Sequence, residues 1–400
     1  MQKEFYRIKR LPPYVFAEVN ALKYKKRQEG VDIIDLGMGN PDSPTPPHIV
    51  EKLRETVLNP ATHRYSVSQG IRGLRKAQAE YYKRRFGVEL DIEKEVITTI
   101  GSKEGLANLA TAVTKPGDTI LVPNPSYPIH PYGFIIAEAN VRHIPKNFDI
   151  PDENGLREQD FLQKLKVAVE NTKPKPTFLI LNYPCNPTAE VVSLDFYEQV
   201  VDFCKFHKIY IISDIAYCEI YFESPPPSIL QVKGAKDISI EFSTLSKTYS
   251  MAGWRVGFAC GSPDLIYALK RIKSYLDYGT FTPIQVAATT ALNGPQDCVE
   301  QVRNLYKERR NLLVSGLHEM GWMVENPKAS MFVWGRIPKQ FSKLGSLKFA
   351  KLLIEEAGIA VSPGIGFGSD GDDFVRIALI ENKQRTRQAI RNLKGFLKKY

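Results

Sequence analysis

The stretch TFLILNYPCNPTAEVVSLDFYEQVVDFCKFHKIYIISDIAY, residues 177–217, contains two apolar runs separated by an amphipathic segment. The runs TFLILNYP (177–184) and IYIISDIAY (209–217) are nearly continuous in apolar residues, as expected for strands that are buried on both faces. The segment SLDFYEQVVDFCKFH (193–207) between them is typical of a helix. A strand, a helix and a second strand in this order predict a parallel α/β unit.

Five further strand-like runs extend this pattern on both sides. They are EVITTIG (95–101), DTILVPNP (118–125), NVRHIP (140–145), ISIEFSTLS (238–246) and RVGFACG (255–261). Helix-like stretches such as SKEGLANLATAV (102–113) lie between most of them. The pattern predicts an α/β domain with a mostly parallel sheet, in which ligands bind outside the carboxyl ends of the strands.

The last third of the chain has a different pattern. One long helix is predicted over residues 294–321, followed by the short strands SMFVWGRI, IAVSP and FVRIALI and a final helix, which indicates a small α+β domain. We expect the N-terminal segment, residues 1–45, to pack against this small domain. The predicted division is therefore 1–45, a large domain over 46–290 and a small domain over 291–400.

Composition excludes several classes of protein. The formal charge is +10 over 400 residues, but Lys and Arg are scattered, which favours a solvated basic surface over nucleic-acid binding. Five cysteines without a C-x-x-C motif indicate reduced thiols and a cytoplasmic protein, and six dispersed histidines provide no metal site. The sequence contains no run of 18 apolar residues, so no membrane span is predicted. The first ten residues lack the apolar region of a secretory signal.

The motif GFGSDG (366–371) matches the glycine pattern of dinucleotide-binding proteins. That site requires a helix after the glycines, whereas DDFVRIALI reads as a strand, so we interpret the motif as a loop. No G-x-x-x-x-G-K-[ST] motif is present, and a Walker-type nucleotide site is therefore unsupported.

Three short motifs follow predicted strands, and each is weak by itself. GSKEG (101–105) opens a helix whose free N–H groups can bind phosphate, but it can equally be a plain turn. NYPCNPT (182–188) presents Asn186 but also matches an ordinary Asn-Pro turn. SDIAY (213–217) carries Asp214, which is either a helix N-cap or a buried carboxylate that needs a cationic partner.

Lys247 in FSTLSKTYSMAGWRVG (242–257) connects these motifs. A lysine forms imines when burial or a neighbouring cation such as Arg255 lowers its pKa, and Arg255 with Thr244 and Ser246 can bind a phosphate. Asp214 can pair with a pyridinium nitrogen, and Asn186 with Tyr217 can donate to a phenolic oxygen. Pyridoxal 5′-phosphate carries all of these groups, so the motifs together predict this cofactor.

These motifs resemble those of the fold type I pyridoxal-phosphate aminotransferases of class I and II over essentially the whole chain. TLSKTYSMAGWRVG resembles the family's lysine signature, NYPCNPT its N-P-T-G segment, SDIAY its D-x-A-Y and FVRIALI its arginine strand. LPPYVFAEV, IDLGMGNPD and YSVSQGIRGLR are most similar to the alanine and LL-diaminopimelate aminotransferase branch. Ala189 replaces the usual glycine, which should alter that turn, and Thr244 stands where serine is commoner.

The resemblance implies a fold, an assembly and a set of roles. It implies a three-layer α/β/α large domain with a mostly parallel seven-stranded sheet, a small α+β domain and a homodimer with shared active sites. Lys247 would bind the cofactor and move a proton, with Asp214 and Tyr217 as the other catalytic residues. The implied cofactor contacts are Tyr65 from the partner subunit, Ser102, the Lys103 backbone, Tyr127, Asn186, Asp214, Tyr217, Thr244, Ser246 and Arg255. The implied substrate contacts are Tyr14, Gly39, Asn186 and Arg376, with Arg376 on the α-carboxylate.

The predicted function is a ping-pong aminotransferase acting on amino acids and 2-oxo acids. Residues 274–283 contain no arginine, although aspartate-specific relatives place a second arginine there, so we expect alanine with 2-oxoglutarate first. LL-Diaminopimelate and then aspartate follow as alternatives. A carbon–sulfur lyase on the same scaffold and a non-catalytic regulator stay open, although the regulator would need a DNA-binding domain for which we expect no room.

Overall fold

The computed structural model describes residues 5–400, and it contains all seven strands predicted for the large sheet. The strands of the structure are β1 (Ile34–Asp35), β2 (Val96–Thr99), β3 (Thr119–Asn124), β4 (Asn140–Pro145), β5 (Phe178–Asn182), β6 (Tyr210–Asp214), β7 (Ser239–Thr244), β8 (Gly257–Gly261), β9 (Phe332–Arg336), β10 (Ile359–Ala360), β11 (Ser362–Pro363) and β12 (Phe374–Ala378).

Helices connect most of these strands. They are α1 (Tyr6–Lys9), α2 (Val15–Gln28), α3 (Pro47–Val57), α4 (Arg72–Phe86), α5 (Ser102–Val113), α6 (Ile129–Ile136), α7 (Leu156–Glu170), α8 (Leu194–His207), α9 (Leu245–Thr248), α10 (Pro263–Leu276), α11 (Thr282–Asn293), α12 (Asp297–Glu319), α13 (Gly345–Ala357) and α14 (Lys383–Leu397). Within residues 5–400 none of them is long and apolar enough to cross a bilayer.

The large sheet has the strand order β2-β8-β7-β6-β5-β3-β4. Strand β8 runs antiparallel to both of its neighbours, and the remaining pairs in the sheet are parallel. The prediction of a mostly parallel seven-stranded sheet is confirmed. Because β8 runs in the opposite direction, the residues before it lie at the same edge as the carboxyl ends of the other strands.

Both faces of this sheet are covered by helices, which explains its continuous apolar runs. Alternate residues of a strand point to opposite faces: Leu179 and Ile211 belong to a core with helices α4, α7, α8 and α11, whereas Ile180 and Ile212 belong to a core with α5, α6 and α10. The three-layer arrangement predicted from the family is confirmed.

A second, smaller structure forms from both ends of the chain. Strands β11, β12 and β9 make an antiparallel sheet, and a separate core contains residues of helices α12, α13 and α14. Strand β1 pairs in parallel with β10, so the N-terminal segment packs against this C-terminal part. The domain limits at residues 45 and 290 stay a prediction, and residues 1–4 of the N-terminal segment lie outside the described residues.

Two predicted strands differ in detail. The run IAVSP divides into β10 and β11, which belong to different sheets. The run at 238–246 ends at Thr244, because the Thr244 hydroxyl accepts a hydrogen bond from the Ser246 N–H and thereby begins the short helix α9. Lys247 consequently lies on a helix at the strand end.

Candidate active site

A cavity of about 280 Å³ lies at the edge where the strands of the large sheet end, between this edge and the small sheet. Its wall contains every predicted site residue except Tyr65. The predicted residues on the wall are Tyr14, Gly39, Ser102, Lys103, Tyr127, Asn186, Asp214, Tyr217, Thr244, Ser246, Lys247, Arg255 and Arg376. They come from separate strand ends, from the N-terminal segment and from β12. Only the folded chain brings them together.

Lys247 points its amine into this cavity. Its Nζ donates a hydrogen bond to the Gly39 carbonyl over 2.7 Å, and no carboxylate pairs with it among the described residues. Burial lowers the pKa of Lys247 to about 8, and the positive charges of Arg376 and Arg255 contribute to the same shift. The sequence analysis named burial and Arg255 for this effect, and it missed Arg376, which contributes more than Arg255. With this pKa a larger share of the amine is neutral at neutral pH than in an ordinary lysine, and the neutral form is the one that forms imines and accepts protons.

Asp214 is 4% exposed and has the polar partner that its burial requires. His130 Nε2 donates to Asp214 Oδ2 over 3.0 Å, while Oδ1 accepts from the Ala216 N–H over 3.1 Å. Asp214 ends β6 and precedes a turn, so it is not the N-cap of a helix. The sequence prediction missed His130, although it lies three residues after Tyr127 in a segment otherwise rich in apolar residues.

Arg376 is a buried cation that pairs with no carboxylate in the described part of the chain. Its Nη1 donates to Asn186 Oδ1 over 2.6 Å, and its Nη2 donates to the Gly37 carbonyl over 2.9 Å and to Ser362 Oγ over 3.2 Å. Its Nε has no hydrogen-bond partner among the described residues. Burial lowers the pKa of Arg376 to about 10. A buried guanidinium with free donor capacity is a binding site for a carboxylate.

Aromatic rings fix the plane of this guanidinium. The Arg376 Cζ lies 4.1 Å from the centre of the Phe332 ring and 4.7 Å from that of Phe367. Such stacking favours the arginine cation and orients its donors in one plane. The sequence prediction missed Gly37, Ser362 and both phenylalanines, since their relation to Arg376 is created by the pairing of distant segments.

A second anion site is formed where α5 begins. Gly101 has a φ of +81°, and a Cβ at this position would overlap the Arg255 guanidinium, while a Cβ on Gly257 would lie 2.6 Å from the Ser102 nitrogen. The hydroxyls of Thr244 and Ser246 are 2.9 Å apart on the adjacent turn. Glycines therefore let a guanidinium, two hydroxyls and a helix N-terminus converge, which is an arrangement that fits a phosphate.

Four tyrosines differ in their relation to the cavity. Tyr217 and Tyr127 lie on its wall, and burial raises the pKa of both phenols, so each keeps its proton at neutral pH. Tyr14 is 64% exposed at the rim. Tyr65 is 86% exposed outside the cavity, with its ring centre 4.7 Å from that of Tyr278. Within one chain Tyr65 lies apart from the wall that carries the other predicted residues.

The NYPCNPT turn places Ala189 in the left-handed region that favours glycine. Ala189 has a φ of +62°, and its N–H donates to the Cys185 carbonyl over 2.9 Å. This conformation costs an alanine about 1 kcal/mol, and the expectation that alanine alters the turn stays a prediction. Asn182 Oδ1 accepts from the Asn186 N–H over 2.9 Å and so orients the residue that contacts Arg376.

Comparison with known proteins places these observations in a family. Residues 31–393 match the family model for aminotransferase class I and II. The chain is 54% identical to the glutamate-pyruvate aminotransferase AlaC of Escherichia coli over 99% of this chain and 94% of that protein. It is 41% identical to the LL-diaminopimelate aminotransferase of Moorella thermoacetica over 99% of both chains. The substrate-bound structure of BacF from Bacillus subtilis superposes with a TM-score of 0.90 at 36% identity, covering 99% of this chain and 98% of that one.

The pKa of Lys247 predicts how its reactivity depends on pH. In ligand-free protein, a lysine-selective acylating reagent should modify Lys247 with a half-maximal rate near pH 8, because only the neutral amine reacts and a lowered pKa makes it neutral earlier. Peptide mass spectrometry over a pH series measures this. Lys83 is an internal control, since hydrogen bonding to Glu89 raises its pKa.

The variant Arg376→Met should move the midpoint for Lys247 to higher pH, because it removes one of the charges that disfavour the ammonium. A wild-type midpoint close to that of an ordinary lysine, about pH 10.4, would contradict this description of the cavity.

Proposed function

The chain belongs to the family of class I and II aminotransferases, and on this premise we propose that it moves an amino group between alanine and 2-oxoglutarate with pyridoxal 5′-phosphate as cofactor. The observation that carries the proposal is the joint presence, in one cavity, of the Lys247 amine and the Arg376 guanidinium, neither of which pairs with a carboxylate within residues 5–400. The first suits a carbonyl and the second suits a carboxylate.

The residues of the cavity fit the cofactor group by group. The anion site of Ser102, Thr244, Ser246 and Arg255 suits its phosphate, and Asp214 with His130 behind it suits a protonated ring nitrogen. Tyr217 and Asn186 carry donors for its phenolic oxygen, and Tyr127 provides an aromatic face. When bound, the cofactor supplies a carbonyl for covalent attachment and an electron-withdrawing ring.

The protein's own residues then have distinct tasks. Arg376 binds the α-carboxylate of either substrate through its planar donors, and Asn186 with Gly37 limits how the guanidinium can turn. Lys247 Nζ accepts and returns the proton of the substrate α-carbon, which a pKa near 8 permits at neutral pH. Asp214 would hold the cofactor nitrogen, and the hydrogen bond from His130 orients its carboxylate. Tyr14 at the rim is placed to restrict water.

We propose that the enzyme is a homodimer and works in the cytoplasm. Tyr65 is exposed and lies outside its own cavity, which supports a role in the partner subunit's phosphate site. An exposed tyrosine pair such as Tyr65 and Tyr278 is also typical of the apolar and aromatic surfaces at protein interfaces. All five cysteines are free thiols, which supports a reducing compartment.

The preference for alanine rests on the relatives and on the arginines of the cavity. AlaC, named for glutamate and pyruvate, shares 54% of its residues with this chain. Arg255 and Arg376 are the arginines on the cavity wall of residues 5–400, and one is assigned to phosphate and the other to the α-carboxylate. This disfavours aspartate as the best donor. LL-Diaminopimelate is the second candidate, because relatives named for it are 41–42% identical.

A panel of amino donors tests the assignment. With 2-oxoglutarate as acceptor, alanine should show a larger kcat/KM than LL-diaminopimelate and aspartate, measured by the appearance of glutamate. Without a 2-oxo acid, alanine should yield no more than one equivalent of pyruvate per active site, since the amino group then stays on the enzyme. An S-alkyl cysteine, which has a sulfur leaving group, serves to detect a carbon–sulfur lyase: its repeated hydrolysis to thiol, ammonia and pyruvate without an acceptor would indicate that activity. A wide advantage for aspartate would overturn the proposed order.

Replacement of the carboxylate-binding arginine tests the substrate site. Arg376→Lys should raise KM for alanine and for pyruvate together by about 10- to 100-fold, because lysine keeps the charge but loses the planar pair of donors. Steady-state kinetics in both directions measures this. The control is Arg336→Lys on β9, whose side chain pairs with Asp149 at the surface and should leave KM unchanged. Equal effects of both variants would contradict the role of Arg376.

A further inference from the structure

A buried lysine lies outside the cavity and has no role in the proposed reaction. Lys273 on α10 is 0% exposed, and its Nζ donates to Glu104 Oε1 and to Asp277 Oδ2, each over 2.8 Å. The two carboxylates together compensate the fully buried ammonium, whose charge would be costly without them. The two carboxylates belong to different parts of the fold.

The Glu104 carboxylate holds the turn in front of α5. Its Oε2 accepts a hydrogen bond from the Ile100 N–H over 2.8 Å, and its other oxygen contacts both Lys273 and Asn108. Ile100 immediately precedes Gly101 and Ser102, where the proposed phosphate site begins. Lys273 therefore orients, through Glu104, the backbone that opens this anion site.

The Asp277 carboxylate holds a loop at the surface. Its Oδ1 accepts from the Gly279 N–H over 2.6 Å. Gly279 has a φ of +79°, and a Cβ there would overlap the Val67 carbonyl, so the loop packs closely against residues 67–68. Tyr278 lies between Asp277 and Gly279, and its ring packs against that of Tyr65. Lys273 thus orients, through Asp277, the surface that carries Tyr65.

We propose that Lys273 is a positioning residue that couples the phosphate site of its own subunit to the Tyr65 surface offered to the partner subunit. The inference rests on the proposed function, in which both features bind cofactor phosphates. One charge then keeps both sets of phosphate contacts in place, so a disturbance at the subunit interface reaches the phosphate turn through the salt bridges of a single side chain.

A comparison of two cofactor forms tests this inference. Full-length Lys273→Met, freed of cofactor, is titrated with pyridoxal phosphate and separately with pyridoxal, which lacks the phosphate. The phosphate preference, which is the Kd for pyridoxal divided by the Kd for pyridoxal phosphate, should fall at least about tenfold. The Kd for pyridoxal itself should change little. Lys270→Met on the same helix is the control, because Lys270 donates to the Glu93 carbonyl instead and should leave the preference unchanged.

A second pair of variants keeps the inference testable where Lys273→Met does not fold. Asp277→Asn and Tyr65→Phe should each reduce the phosphate preference, and the double variant should lose no more than the larger single effect, because both act through the same surface. Additive losses, or an unchanged preference in Asp277→Asn, would overturn the coupling. Wild-type protein that binds neither cofactor form would instead refute the proposed function, and the inference with it.

Discussion

Two cations, Lys247 and Arg376, share one buried cavity and have no acidic partner there among the described residues, and the arrangement of the site depends on this constraint. Burial disfavours both charges and the charge of Arg376 disfavours that of Lys247, so the amine loses its proton near pH 8 while the guanidinium remains charged. The result is one amine that can accept a proton and one fixed positive charge, which suits a site that holds an amino acid by its carboxylate and removes the proton of its α-carbon.

The topology makes this constraint possible. Strands β5, β6 and β7 end at the same edge, and the reversed β8 brings Arg255 to that edge as well. Arg376 comes from the small sheet, and its hydrogen bond to Asn186 joins this sheet to the large one across the cavity. The N-terminal segment closes a third side, since the Gly37 and Gly39 carbonyls accept from Arg376 and Lys247 respectively. The uncompensated charges are thus shielded by backbone dipoles rather than by carboxylates.

The sequence predicted the large sheet and most of the site because both depend on local patterns. Each buried strand is an apolar run, and Asp214, Asn186, Lys247 and Arg255 stand directly at strand ends, where parallel sheets bind ligands. His130, Gly37 and Ser362 were missed because their importance comes from contacts between segments far apart in the chain, which no local spacing indicates. The division of IAVSP between two sheets escaped prediction for the same reason. Tyr65 needs a second chain, so its role remains a prediction of the family resemblance.

Borohydride reduction of the purified, full-length protein, followed by peptide mass spectrometry, shows whether Lys247 binds the cofactor. We expect visible absorption by bound pyridoxal phosphate before reduction, its loss on reduction and a phosphopyridoxyl group on the peptide that contains Lys247. The variant Lys247→Ala should show neither the absorption nor the modified peptide. A modification on another lysine, or an unchanged spectrum in Lys247→Ala, would contradict the account.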